Sequence, residues 1–290
     1  MAKTLKDLNL CDDFLFYHVM QEPELVIQLL ELVLDLPGKI EKVEYLEREK
    51  TLKSGYTGKG VRLDVYVRTD NLTVYNIEIQ QKKKRAIGKR SRKYQSSIDM
   101  EILKKGEDYD KLKPQYIIFI CTFDPFDRGL FRYTFGNRCY EDMTLELGDE
   151  TRKVFLNTKG NLDDASSEMR EFLWFLEHST LEEAEKSESQ FVHILSERIE
   201  KVKEDEEIGG QFMTFEDKLK DLQWEYEEII KDIQFEYEDK IAEKDSKLAE
   251  KDAVINGMQA ETARKLKEQG VSAEIIASVT GLSPEEIEQL

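Results

Sequence analysis

The stretch Val61–Gln80, VRLDVYVRTDNLTVYNIEIQ, reads as two alternating strands that bring one aspartate and one glutamate onto a shared face. Side chains alternate across a strand with period two. In the first strand Val61, Leu63, Val65 and Val67 share one parity, and Arg62, Asp64, Tyr66 and Arg68 the other. In the second, Tyr75, Ile77 and Ile79 lie on one side and Val74, Asn76, Glu78 and Gln80 on the other. Register then decides whether the two acids meet. A two-residue Asp70-Asn71 turn pairs Asp64 with Ile77 and sends Asp64 and Glu78 to opposite faces. An odd loop of Thr69-Asp70-Asn71, with Asn71 in the left-handed position such hairpins need, sets Asp64 opposite Asn76 and diagonal to Glu78. The odd loop is the expectation. Diagonal neighbours lie roughly 7–8 Å apart, a separation at which two carboxylates and water hold one hard cation. Alternation alone also describes a solvated sheet face, since antiparallel sheets often keep one face wet.

The residues after Gln80 favour the site. In QKKKRAIGKRSRKYQSS the cations Lys82, Lys83, Lys84, Arg85, Lys89, Arg90, Arg92 and Lys93 fall within twelve positions, a density suited to phosphate binding. Arg92, Tyr94 and Gln95 open a segment reaching about Lys105 in which Ile98, Ile102 and Leu103 have helical spacing. A cationic loop feeding a helix beside two acids predicts a polyanionic substrate held against a divalent metal. The expected DNA-contacting set is Lys82, Lys83, Lys84, Arg85, Arg90, Arg92, Lys93, Tyr94 and Gln95.

An aspartate on one strand, glutamate-x-glutamine on the next, then a basic helix and a further apolar strand resembles the PD-(D/E)XK nuclease superfamily. More narrowly, the chain resembles its recombination-promoting nuclease and transposase-like family. The segments that carry the likeness are DDFLFYHVM, RLDVYV, YNIEIQ, KYQSSIDMEIL and GEDYDKLKPQYIIFIC, in that order, over roughly Leu10 to Asn157. The resemblance implies an α/β, restriction-endonuclease-like core, a mixed central sheet flanked by helices. It implies a metal-dependent DNA endonuclease, associated with recombination or mobile elements, with Asp64, Glu78 and Gln80 as catalytic residues. Asp64, Glu78 and the backbone carbonyl of Ile79 then hold Mg²⁺ or Mn²⁺, hard ions suited to oxygen ligands. The superfamily commonly has lysine at the Gln80 position. A glutamine orients without charge, which implies weaker activity or a neighbouring cation, such as Lys82 or Arg92, in the lysine's place. Asp13 is a further candidate acid, with a cap or surface role as its alternative. Two other functions stay open: a catalytically weak or inactive DNA-binding protein, and an oligomeric scaffold.

The net charge of −18 argues against nucleic acid until its distribution is read. Residues 1–160 hold 28 Lys and Arg against 26 Asp and Glu, whereas residues 161–290 hold 15 against 35, so the acidic excess lies away from the candidate site. No run approaches the roughly 18 apolar residues needed to span a bilayer, and the first residues lack a signal peptide's apolar core. The expectation is a cytoplasmic protein with no membrane partner. Cys11, Cys121 and Cys139 show no zinc or disulfide spacing and read as buried thiols. His18, His178 and His193 are scattered and read as structural or surface residues.

The expected organisation is a nuclease-like core over 1–160, docking helices over 161–210, a long charged helix over 211–258 and a small helical module over 259–290. Phe14 to Leu36 has helical spacing with Phe14, Tyr17, Val26, Ile27, Leu30 and Val33 as core, split by Pro23 and stopped by Pro37-Gly38. Ile40 to Leu52 reads as strand, Gly55 to Gly60 as turn, and Tyr116 to Cys121 as a strand buried on both faces. Further strands are expected at Phe131–Cys139, Met143–Leu147 and Lys153–Leu156. Phe172, Leu173, Phe175 and Leu176 form one docking stripe, and Phe191, Ile194, Leu195 and Ile199 a second. Beyond Phe215 the thin seam of Leu219, Leu222, Tyr226, Ile229, Ile233, Tyr237, Ile241, Leu248 and Ile255 predicts a coiled-coil dimer helix, with a solvated single helix as the alternative. The tail reads as three short helices, Ala263 to Gln269, Ser272 to Thr280 and one capped by Ser283. Leu266, Val271, Ile275, Ile276, Val279, Leu282 and Ile287 are its expected small core, suited to packing or oligomerisation rather than DNA reading.

Overall fold

A computed structural model of the chain describes residues 4–36, 38–54, 58–83 and 85–290. Pro37, Lys84 and Gly55–Thr57, the first half of the expected Gly55–Gly60 turn, lie outside the described residues, and the second half of that turn, Gly58–Gly60, is strand instead.

Six strands form one mixed sheet: β1 (Val43–Ser54), β2 (Gly58–Thr69), β3 (Val74–Gln80), β4 (Gln115–Cys121), β5 (Arg132–Phe135) and β6 (Thr151–Asn157). Their order is β1-β2-β3-β4-β6-β5. The first three pair antiparallel, β3, β4 and β6 run parallel, and β5 returns antiparallel along β6. The QYIIFIC run of β4 lies between two parallel neighbours, which explains its unbroken apolar sequence: both of its faces are covered. Parallel β3 and β4 need a crossover, which the helix α3 (Ile87–Ile102) supplies.

The hairpin between β2 and β3 has an odd loop, one residue further along than expected. Thr69 N–H donates to the Thr73 carbonyl, closing a loop of Asp70, Asn71 and Leu72, and Leu72 takes the left-handed conformation at φ 65°. The shift has a local cause. The Asn71 side chain accepts from Thr69 Oγ1 at 2.7 Å and from Thr73 N–H at 3.0 Å, so it spans the loop from inside and leaves the left-handed position to its neighbour. Tyr66 therefore pairs with Asn76 and Val65 with Ile77. Continued by one residue, this register sets Asp64 directly across from Glu78 rather than diagonal to it.

The acid-bearing face is not solvated. Helix α3 lies over it, where Ile87, Tyr94 and Ile98 cluster with Tyr66, Val74, Ile117, Phe119 and Phe155. Tyr94 stacks on Phe119 with centroids 5.9 Å apart, and Phe119 on Phe155 at 5.2 Å, a ladder running from α3 across β4 to β6. Against the sheet's other side lie α1 (Asp13–Val19) and α2 (Pro23–Val33), whose contacts reach β1, β2 and β3. Pro23 opens α2 at a position where its missing N–H has no helical acceptor to lose. Behind them α4 (Ser167–Glu177), α5 (Leu181–Lys186) and α6 (Gln190–Glu204) begin at Ser166, Thr180 and Ser189, each of which accepts a backbone N–H of its first turn. Phe172, Leu173, Phe175 and Leu176 are buried as expected, and on α6 Val192 is buried where Ile194 is only half-buried.

Other expectations need correction. Met143–Leu147 is not a strand: Asp142 accepts from Thr144 N–H and Oγ1, turning the chain, and Met143, Leu145 and Leu147 are exposed. Alternation marks a strand only where one parity finds a core to enter. The Phe131–Cys139 strand is confined to Arg132–Phe135. None of the three cysteines forms a disulfide; Cys121 is buried while Cys11 and Cys139 are half-buried.

Contacts divide the chain into Met1–Thr214 and Phe215–Leu290. Helix α7 runs from Glu206 to Glu268, so the first of the three expected tail helices is continuous with the long one. Gly257 falls within it; the entropic cost of one glycine, about 1 kcal/mol relative to alanine, does not end a helix so long. The tail continues with α8 (Ala273–Thr280), closed by left-handed Gly281, and α9 (Pro284–Gln289), opened by a capping box between Ser283 and Glu286. Ala263, Ile276 and Ile287 are its buried core, whereas Ile275 and Val279 are exposed.

Candidate active site

Two strands and one helix build the site. At the end of β3 the peptide N–H of Asp64 donates to Glu78 Oε1 at 3.1 Å, and that of Ile79 donates to Asp64 Oδ2 at 3.3 Å. Each acid thus accepts from the other's strand where the ladder of β2 and β3 gives out, and the two carboxylates are brought together. Glu78 is 1% exposed and Asp64 half-buried. Asn76, two residues back on the same face, donates Nδ2 to Glu78 Oε1 at 3.1 Å, and its own Oδ1 is buried with no hydrogen-bond partner. Burial above all, and then the charge of Asp64, raise the Glu78 carboxyl above the usual range; Asn76, the Asp64 N–H and Arg90 oppose them without winning.

Gln80 is clamped. Its Nε2 donates to the Ile79 carbonyl at 2.5 Å, and its Oε1 accepts from Arg90 Nη1 at 2.6 Å. Arg90 comes from the first turns of α3 and also donates through Nη2 to the Tyr94 hydroxyl at 2.7 Å. The same Nη2 lies 3.8 Å from Glu78 Oε2. Burial, then Glu78, push the Tyr94 hydroxyl up to about 12, so it stays a neutral phenol. The guanidinium carbon is 5.4 Å from the Tyr94 ring centroid and 5.7 Å from that of Phe119.

The residues suit a hard divalent cation. Two carboxylates of like charge share a confined space, the partnerless Asn76 oxygen lies beside them, and the Ile79 carbonyl keeps a second lone pair. Among the described residues no three His, Cys, Asp or Glu side chains gather as a metal cage. The donor set is therefore small and all-oxygen, the kind Mg²⁺ accepts while retaining water.

The expected cationic set does not converge as a whole. Arg90 turns inward, whereas Lys82, Arg85 and Arg92 are exposed around the start of α3. Lys83 is exposed and paired with Asp127 at 2.6 Å. Lys93 and Gln95 are half-buried and Tyr94 is buried; Lys84 lies outside the described residues. Asp13 is exposed in the first turn of α1. The acid that reaches the end of β3 from there is Asp12, whose Oδ1 accepts from Gln81 Nε2 at 3.1 Å. In the sequence Arg90 is one cation of a basic run, expected among the general phosphate contacts. Its i, i+4 relation to Tyr94, a residue of α3's apolar stripe, is the signal that separates it from its neighbours.

A model of the family described as PD-(D/E)XK nuclease family transposase matches residues 11–247. That span extends well past Asn157 into α7. No curated protein and no solved structure matches the chain.

Proposed function

The chain belongs to the PD-(D/E)XK nuclease family transposases, and from that premise we propose that it is a metal-dependent DNA endonuclease centred on Asp64, Glu78 and Gln80. The observation that carries this reading is the meeting of Asp64 and Glu78 at the end of β3, each accepting from the other's strand. Asp64, Glu78 and the Ile79 carbonyl would hold Mg²⁺ or Mn²⁺. Such an ion lowers the pKa of water and stabilises charge at a scissile phosphate.

The protein's own groups do the positioning. Asn76 fixes the Glu78 carboxylate, and Gln80 fixes the Ile79 carbonyl. The exposed cations Lys82, Arg85 and Arg92 lead the DNA backbone to the acids, and the near-neutral charge of residues 1–160 leaves that basic segment unopposed locally. In the reaction a water oxygen forms a bond to phosphorus and the bond to the leaving ester oxygen breaks; of the water's two protons, one in net ends on the leaving oxygen and the other passes to solvent as the monoester ionises. One strand end is left as a hydroxyl and the other as a phosphate monoester.

A supporting role belongs to α7. Leu219, Leu222, Tyr226, Ile229 and Ile233 follow alternating spacings of three and four and are exposed along the helix. Such a seam favours a second copy of the chain as partner, and a dimer would suit recombination or mobile-element chemistry, in which two strands are handled together.

The test is nicking of supercoiled DNA by the full chain in Mg²⁺ and in Mn²⁺, with D64N and E78Q in parallel. Wild type is expected to nick and both variants to fail while still binding DNA. Identical behaviour of wild type and D64N excludes catalysis here and leaves the reading of an inactive DNA-binding protein, the one favoured by the absence of charge on Gln80.

A further inference from the structure

We propose that Arg90 is the group that meets the scissile phosphate and supplies the positive charge of the reaction, with Tyr94 and Gln80 as its positioning residues. This rests on the nuclease reading of Asp64 and Glu78 and assigns a role that reading leaves empty.

Two carboxylates against one divalent cation leave the site neutral, and Arg90 then gives it one positive charge. A phosphodiester carries one negative charge and gains a second as the water oxygen bonds to phosphorus. Arg90 matches the first and is in place for the second, the arrangement by which fixed donors stabilise developing charge.

Its geometry fits that task better than a structural one. A guanidinium serving to neutralise a buried carboxylate makes close, paired hydrogen bonds to it. Arg90 instead lies 3.8 Å from Glu78 and places its hydrogen bonds on two neutral groups, the Gln80 amide and the Tyr94 hydroxyl. Those bonds occupy two of its five N–H donors and fix the plane of the fork without consuming its charge. The side chain is 28% exposed beside a Glu78 that is 1% exposed, so the guanidinium is at the mouth and the carboxylate at the floor. The Tyr94 and Phe119 rings support it from below. Among the described residues of the basic segment, Lys82, Arg85 and Arg92 lie exposed at the surface, and Lys83 is engaged with Asp127.

The test uses the full chain and single-turnover nicking of supercoiled DNA in Mn²⁺, with binding of a labelled duplex measured in EDTA. R90A is expected to cleave about 100- to 1,000-fold more slowly, the loss seen when one donor to a developing oxyanion is removed, with duplex affinity little changed. R90K should retain more rate than R90Q. Two restorations separate chemistry from structure: added guanidinium ion should raise the R90A rate, and so should Q80K in the R90A background, which returns a cation to the atom Arg90 now touches. Should R90A fail to fold, judged by circular dichroism, the R90K and R90Q pair carries the test. A wild type that nicks, a dead D64N and an R90Q as fast as wild type overturn the assignment and leave the nuclease reading intact. Slow variants that neither guanidinium nor Q80K restores also overturn it, since Arg90 would then act only in folding. A wild type that does not nick sinks the nuclease reading, and this proposal with it.

Discussion

Replacing Glu78 by glutamine should make the metal-free protein more stable, and increasingly so as pH rises. Glu78 is 1% exposed, its carboxyl is raised above the usual range by burial and by Asp64, and its cation Arg90 is 3.8 Å away. The sign follows from linkage. An acid raised in the folded state binds its proton there at pH values where the unfolded chain has lost it, so stability falls as pH climbs from the unfolded carboxyl's range, near pH 4, through the raised folded value. Glutamine keeps the Oε1 that accepts from Asp64 N–H and Asn76 Nδ2 and carries no charge, so E78Q should be flat over that window. The effective cost of holding an ion away from water is several kcal/mol, part of which Asn76, the Asp64 N–H and Arg90 return. A net gain of about 2–4 kcal/mol for E78Q at pH 9 is expected, with little difference near pH 4. For a unit of this size, about 2–4 °C of melting temperature per kcal/mol converts that gain to roughly 5–15 °C. The assay is thermal unfolding in EDTA at pH 4, 6 and 9, followed by near-ultraviolet circular dichroism. Adding Mn²⁺ at pH 9 should restore wild type and leave E78Q unmoved. An E78Q no more stable than wild type at pH 9, or equally stabilised at every pH, would refute the argument.

Four further outcomes are expected. Asp124 accepts from the N–H groups of Phe126, Asp127 and Gly129 and from the Tyr133 hydroxyl; burial pushes its carboxyl up, but these bonds together hold it at about 2. The stability it contributes is present above the unfolded value near 4 and is lost as pH falls toward about 2, so urea titrations of wild type and D124N should differ at pH 6 and converge in strong acid. Leu72 sits at φ 65° in an exposed loop, where the left-handed penalty of roughly 1–2 kcal/mol exceeds the entropic cost of glycine; L72G should be more stable by about 0.5–1 kcal/mol, and a clear loss of stability would count against this register. Reversing Lys82, Arg85 and Arg92 together should weaken duplex binding and flatten its salt dependence by about 0.9 log units for each phosphate no longer neutralised, whereas an unchanged slope would remove the basic segment from the interface. Sedimentation of the full chain should give about twice 34.0 kDa, and I229D/I233D should return it to monomer; a monomeric wild type would rule out pairing through α7.

What the chain determines by itself is what local chemistry determines. The parity of RLDVYV and YNIEIQ, the apolar run of QYIIFIC, Pro23 at a helix start and the Ser283–Glu286 capping box all act through nearest neighbours, and each appears where its residues predict. The acid pair was legible for the same reason, since period-two alternation allows few faces. Three matters did not follow from the alternation pattern: the first was decided by a side-chain bond local to the loop, the other two by the tertiary structure. The loop moved by one residue because Asn71 bonds across it, which set Asp64 across from Glu78 and not diagonal. Met143–Leu147 alternates like a strand but meets no core, and burial is a property of the whole fold. Arg90 left the company of seven similar cations only when α3 packed its Tyr94 on Phe119 and so aimed the guanidinium at Gln80 and Glu78. A charge run in a sequence gives the number of cations; the direction each one points is decided by the helix that carries it and the surface that helix is packed upon.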